Sequence, residues 1–316
     1  MSAVNATSRP RCWGIYRELA HSRRKTDDAE ILRATARQLA ARGFDVELKT
    51  PHELPETRDT ADVPPFLFVM CERIPVVARL AAWERQGVRI VNRPEGIHNT
   101  HRECTIALFA RHGIPFPQSV LVPTAMPPRD TGIGFPCWVK RGDVHGTQEG
   151  DVRRVADSGD LAAGLSGFSR RGIARAVVQE HVPGDLIKFY GVAGEERGSL
   201  SWFQWFYHRD QQLSRYPFDP DFLAAAATRA AVALGLDVFG GDAIAMPDGR
   251  IVLIDLNAWP SFALYRDVAA SRIASCLAAR FRRPVQIGVS EGRDETKQRR
   301  PGASRSFSGE PTRNSF

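Results

Sequence analysis

Asp242, Asp255 and Asn257 are the residues whose types and spacing most directly imply chemistry. They lie in "VFGGDAIAMPDGRIVLIDLN", which reads as a two-stranded hairpin turning at "PDG" near Asp248. Such a turn sets Asp242 opposite Asp255, and the two-residue period of a strand sends Asp255 and Asn257 to one face. Three hard oxygen donors gathered at a strand end suit Mg²⁺, which takes carboxylates together with phosphate oxygens and water. Singly, an Asp or Asn near a strand end serves a turn. Together, after the apolar "IVLI" and before Pro260, these three point to a divalent metal that carries a phosphorylated ligand.

Two other stretches are compatible with that ligand. In "WVKRGDVHGTQEGDV", residues 138–152, Lys140 leaves a strand for a loop containing Gly142, Gly146 and Gly150. Glycines let backbone N–H groups approach phosphate oxygens, and a strand-anchored lysine supplies a point charge. The loop matches neither G-x-x-x-x-G-K-[ST] nor G-x-G-x-x-G, so alone it is a weak sign. His145 reads equally as a phosphate contact or an exposed loop residue. "VVQEHVPGDLIKFYGV" reads as strand, polar hinge and strand. A hinge of that kind can offer backbone groups to an adenine edge and a carboxylate to a ribose, but by its chemistry it is ordinary strand–turn–strand sequence.

These residues need strands and helices to hold them. "CWGIY", "FDVEL", "PPFLFVMC" and "VRIVN" read as strands, with helices predicted at 27–42 and in "PVVARLAAWERQG". That alternation predicts a parallel sheet flanked by helices over about 1–98. A helix in "NTHRECTIALFARHG" follows, then strands in "QSVLVP", "CWVKR" and "RAVVQEHV", the last two after a Pro/Gly-rich break. "IKFYGVAG" and "GSLSWFQWFY" read as antiparallel strands, "DPDFLAAAATRAAVALGL" and "VAASRIASCLAARF" as helices. From about 287 the composition is that of a disordered tail.

At 316 residues the chain has room for two or three domains of roughly 100–200 residues each. Its 43% hydrophobic and 25% charged residues are ordinary for a soluble globular protein. No apolar run approaches the roughly 18 residues that cross a bilayer, and the start has no apolar run of signal-peptide length. No membrane role and no export are expected. Five dispersed cysteines, odd in number and without C-x-x-C, predict reduced thiols and a cytoplasmic setting. The net charge of +7 is partly a property of the last 26 residues, where six Lys/Arg face four Asp/Glu. With no basic stripe interleaved with aromatics, the surplus fits phosphate binding better than nucleic acid.

In order, "GIPFP" after Arg102, "WVK" with "RGDVHGTQEG", "VVQEHV", Asp242 and "DLNAWP" resemble the motifs of the ATP-grasp superfamily. The resemblance runs over about residues 92–280, and the thirteen-residue interval from Asp242 to Asp255 is the superfamily's interval. It implies an α/β and α+β architecture: an N-terminal parallel α/β domain (1–98), then two α+β subdomains (99–188, with the Gly-rich lid loop, and 189–286, with the metal site) clasping ATP, then the tail 287–316. It implies Arg102, Lys140, Gly146 and Lys188 at the phosphates, Gln179, Glu180 and Val182 at adenine, and Asp185 at the ribose. Asp242, Asp255 and Asn257 would hold Mg²⁺, with Mn²⁺ as a substitute. Two positions depart from the pattern: Arg102 stands where relatives carry lysine, and Asp255 where many carry glutamate.

The implied reaction is carboxylate–amine ligation through an acyl phosphate, on small-molecule or peptide substrates, with a homodimer left open. Lys140 and Arg266 are the catalytic candidates; Arg266 reads equally as a clamp for an acidic substrate or a surface salt bridge. Arg73 in "CERIP" and the basic "HSRRKTDD" offer charges for substrates without a recognisable code. The rival expectations are a small-molecule kinase, since "RIVNRPEGIHNTHR" also resembles the approach in inositol-polyphosphate kinases, and a non-catalytic ATP-binding module.

Overall fold

The computed structural model describes residues 9–18, 25–56, 59–128, 130–143 and 148–283. His145, Gly146 and the predicted tail lie outside the described residues. The first sheet is built from β1 (Arg11–Ile15), α1 (Lys25–Ala40), β2 (Asp45–Lys49), β3 (Phe66–Val69), α2 (Ile74–Arg85) and β4 (Arg89–Val91). Its four strands are parallel in the order β2-β1-β3-β4. The near-continuous burial of β1 and β3 is what a parallel sheet covered on both faces requires. The helix predicted in "NTHRECTIALFARHG" is α4 (Arg102–Arg111), and a further short helix, α3 (Pro94–Asn99), precedes it.

The second sheet is antiparallel, in the order β5-β8-β6-β7. It comprises β5 (Ser119–Pro123), β6 (Cys137–Arg141), β7 (Val152–Val155), α5 (Ser158–Arg170) and β8 (Arg175–Glu180). Alternation sorts its faces. Cys137, Val139, Ala176 and Val178 join Leu161, Leu165 and Phe168 of α5 in a core of their own. Trp138, Lys140, Val177 and Gln179 are left on the opposite face.

The third sheet, β10-β9-β11-β12, is also antiparallel. It contains β9 (Asp185–Ala193), β10 (Leu200–Tyr207), α6 (Pro220–Leu234), β11 (Val238–Ala245) and β12 (Ile251–Ala258), with α7 (Arg266–Arg282) after it. One face carries Ile187, Phe189, Ala243, Leu253 and Leu256 into a core shared with α6 and with Trp13, Leu67 and Val69 of the first sheet. Toward its far end Tyr190, Val192 and Val238 pack with α1 and α7. Lys188, Asp242, Asp255 and Asn257 are left half-buried. Among the described residues no helix is long and apolar enough to cross a membrane.

Candidate active site

The hairpin of β11 and β12 sets Asp242 directly opposite Asp255, with Asn257 opposite Gly240. Strict alternation along "IVLIDLN" would put Asp255 and Asn257 on the core face with Ile251 and Leu253. A β-bulge prevents this: the register steps from Asp242↔Asp255 to Ala243↔Leu253, leaving Ile254 without a cross-strand partner. Bulges reset the phase of a strand and re-aim its side chains. Buried positions accordingly change from Ile251 and Leu253 to Leu256 and Ala258, and Asp255 and Asn257 turn to the half-exposed face.

Like charges directly opposite on adjacent strands destabilise a sheet unless positive charge offsets them. Each aspartate here has its own cation. Lys188, beside Asp242 on β9, donates from Nζ to Asp242 Oδ1 at 2.7 Å. Arg102, the first residue of α4, places Nη2 3.5 Å from Asp255 Oδ2. Arg102 Nη1 also donates to the Arg141 carbonyl at 3.2 Å, so one guanidinium spans the second and third sheets.

Lys140 lies opposite Val177, and Gln179 two residues on shares its face. Lys140 is 6% exposed, and its Nζ donates to Gln179 Oε1 at 2.6 Å. The partner amide is itself held, donating to Ser119 Oγ at 2.9 Å. Burial lowers the Lys140 ammonium from 10.5 to about 8; the Arg102 charge adds to this, and Asp255 and Asp242 oppose it. Lys140, Arg102, Gln179 and Asp255 line a small cleft whose apolar wall is Ile106, Phe116, Val177 and Ile254. Bulged Ile254 is thus part of the pocket.

The base of the Gly-rich loop is pinned by a carboxylate that sequence reading did not single out. Asp151 is fully buried and accepts from Arg141 Nη1 (3.3 Å), Arg171 Nη2 (2.5 Å) and the Gln148 N–H (3.0 Å). Glu180 ends β8, where its carboxylate accepts from the Gln118 N–H at 3.3 Å. Val182 lies in the short link to β9, and its backbone groups make no hydrogen bond among the described residues.

Two candidates prove to have other partners. Asp185 is 2% exposed, and its two oxygens accept from the Ser214 N–H (2.8 Å) and the Tyr216 N–H (3.0 Å). It holds the backbone leading to α6, the contact the structure shows for a residue expected at the ribose. Asp185→Asn is expected to cost about 1–3 kcal/mol of stability and to leave ATP affinity within about twofold, by calorimetric melting and nucleotide titration. Arg266, at the start of α7, donates to Asp27 Oδ1 of α1 at 2.7 Å. The salt bridge is the contact the structure shows for Arg266, which is not among the residues lining the Lys140 cleft.

The donor set at the hairpin fits a hard divalent cation. Among the described residues no group of three or more His, Cys, Asp or Glu side chains gathers to hold a metal. A cation here would take two carboxylates, an amide oxygen and oxygens from ligand or water. Asn257 suits that use, its side chain having no hydrogen bond among the described residues.

No protein-family model matches this sequence, and no curated protein matches it. Solved structures do. An ATP-grasp RimK domain protein from Sphaerobacter thermophilus aligns at 20% identity over 85% of this chain and 99% of its own, with a TM-score of 0.63. D-alanine–D-alanine ligase from Bacillus anthracis, crystallised with ATP, aligns at 13% identity over 86% and 97%, with a TM-score of 0.66. The ATP-grasp ligase PsnB, complexed with a minimal precursor, aligns at 16% identity over 86% and 99%, with a TM-score of 0.58. This chain has the ATP-grasp fold.

Proposed function

We propose that this chain, built on the ATP-grasp fold, is an ATP-dependent ligase that joins a carboxylate to an amine. The observation that carries the reading is one cleft in which Lys140, Gln179 and Arg102 meet Asp255. Asp255 in turn lies across from Asp242, which is bonded to Lys188. Three cations against two carboxylates leave positive charge for a polyphosphate. Supporting it, the B. anthracis ligase was solved with ATP and PsnB with Mg and ADP.

In this reading Lys140, Arg102 and Lys188 take the phosphates, while Glu180 and Val182 meet adenine through the backbone between the two sheets. Asp242, Asp255 and Asn257 hold Mg²⁺, or Mn²⁺ in its place. The bound metal would offset phosphate charge as it moves onto the leaving ADP. Gln179 fixes the Lys140 ammonium so that its charge is in place before reaction, the arrangement that makes electrostatic stabilisation effective. A carboxylate oxygen attacks the γ-phosphorus and ADP leaves; an amine then attacks the acyl carbon, loses a proton and expels phosphate. The apolar wall excludes water from the acyl phosphate.

The first sheet, to about residue 98, presents the substrates, and the second and third sheets hold the nucleotide. A cytoplasmic setting belongs to the same proposal and agrees with five free thiols. A screen of small-molecule and peptide carboxylates against amines, read as ADP release with mass spectrometry, tests it. ADP formation that requires both substrates, with an amide product, is expected. A phosphorylated alcohol as the product would overturn ligation.

A further inference from the structure

Arg17 lies outside the nucleotide cleft, yet it is tied to the strand that carries the proposed metal ligands. It follows β1, its side chain is 10% exposed, and its guanidinium bonds to three separate segments. Nε meets Asp28 Oδ2 of α1 at 3.0 Å, and Nη1 pairs with Glu72 in the turn after β3. Nη2 donates to the Trp259 carbonyl at 2.8 Å and reaches the Ala258 carbonyl at 3.4 Å. The Glu72 side is held in turn, because Glu18 accepts from the Glu72 and Arg73 N–H groups at 3.0 and 3.1 Å.

Ala258 and Trp259 are the two residues after Asn257. The backbone there is unusual, with Trp259 at φ +43°, a conformation that costs a bulky residue about 1–2 kcal/mol and persists only where its surroundings impose it. The Trp259 N–H donates to the Val238 carbonyl at 3.0 Å, and its ring stacks on Phe68 at 5.9 Å. Its carbonyl is held by Arg17. Residues 255–258 therefore run between a bulge at one end and a left-handed residue at the other. β11 pairs with all four of these residues on one side, and Arg17 adds a second hold, from outside the sheet, on the carbonyls where the strand leaves that pairing.

We infer that Arg17 is a positioning residue for Asp255 and Asn257, clamping the carbonyls beyond them so that their side chains stay aimed at the bound cation. The inference rests on the metal–nucleotide reading above. A lysine cannot reproduce the clamp. Its single ammonium lacks the planar fork that reaches two carboxylates and a carbonyl at once.

The test uses the full chain and Mn²⁺ as the probe, followed by electron paramagnetic resonance in the presence of a non-hydrolysable ATP analogue. Circular dichroism and metal-free binding of a fluorescent nucleotide run in parallel. Arg17→Lys is expected to weaken Mn²⁺ by about tenfold or more, the usual effect of losing a group that orients a ligand, with metal-free nucleotide affinity unchanged. Asp28→Asn, which leaves the carbonyl contacts in place, is expected to lower melting temperature without weakening Mn²⁺. Should Arg17→Lys not fold, the triple variant Arg17→Met, Asp28→Asn, Glu72→Gln, which leaves no charge at these three positions, is expected to fold and show the same Mn²⁺ loss. Unchanged Mn²⁺ affinity in folded Arg17→Lys overturns the inference, as does an equal loss in Asp28→Asn. Absence of Mn²⁺ binding by the unaltered chain with the analogue overturns the metal–nucleotide reading itself.

Discussion

Replacing Asp255 with asparagine is expected to lower Mg-dependent ATP turnover by about a hundredfold or more, since a metal supplies several kcal/mol of charge stabilisation. Folding is expected to change by about 1 kcal/mol at most, because two effects oppose each other. The substitution removes a carboxylate directly opposite Asp242, which favours the sheet. It also removes the partner 3.5 Å from the Arg102 guanidinium, which does not. Asparagine keeps the acceptor that takes the Leu256 N–H at 3.1 Å, so the strand loses no backbone contact. Turnover against Mg²⁺ concentration, beside a thermal melt, checks both halves. Wild-type turnover in a folded Asp255→Asn chain would remove the metal assignment.

Lys140→Met is expected to separate stability from function in the opposite direction. The folded chain holds the Lys140 proton only to about pH 8, whereas an ordinary lysine holds it to 10.5. Below about pH 8 both folded and unfolded chains carry the charge, and the folded one bears the cost of burying it, roughly 3 kcal/mol. Between about 8 and 10.5 the unfolded chain binds more protons, so this group's contribution to stability rises with pH. Methionine fills the same volume without the charge. Its gain is reduced by leaving Gln179 Oε1 without its donor, for a net stabilisation of about 1–2 kcal/mol near pH 7.

Nucleotide binding should move the other way. A lost charge-assisted contact weakens ATP by about ten- to a hundredfold. In the unaltered chain, affinity should also fall as pH rises through about 8, where the free protein loses the Lys140 proton; the methionine variant should lack that step. Calorimetric titration at several pH values, with melts of both proteins, measures all of this. A lower melting temperature with unchanged ATP affinity would contradict both the cost of burial and the phosphate role.

Which parts were legible follows from how far each signal reaches. The β11–β12 hairpin was readable because turn chemistry and alternation act within a few residues. The parallel sheet was readable from apolar runs alternating with capped helices. Helix α5 was not, because Gly159, Gly164 and Gly167 dilute its pattern. The signals that could have found it are the Asp157 cap, which accepts from the Asp160 N–H at 2.9 Å, and the spacing of Leu161, Leu165 and Phe168. Asp185 and Arg266 were readable as charges but not as to their partners, Ser214 and Tyr216 for one and Asp27 for the other. Those partners come from segments 29 to 239 residues away.

By itself the sequence determined which oxygen and nitrogen groups the hairpin, the lysine strand and the hinge could offer, and that Asp242 and Asp255 would meet. Residue type and strand period settle such matters locally. Only the tertiary structure decided that a bulge at Ile254 turns Asp255 away from the core, and that Lys140 is desolvated beside Gln179. It alone decided that Arg17 reaches the Ala258 and Trp259 carbonyls beyond Asn257 from another sheet. Strand phase past a bulge, loss of solvent and the choice of ionic partner all depend on which distant segment packs alongside, and that is a property of the assembled fold.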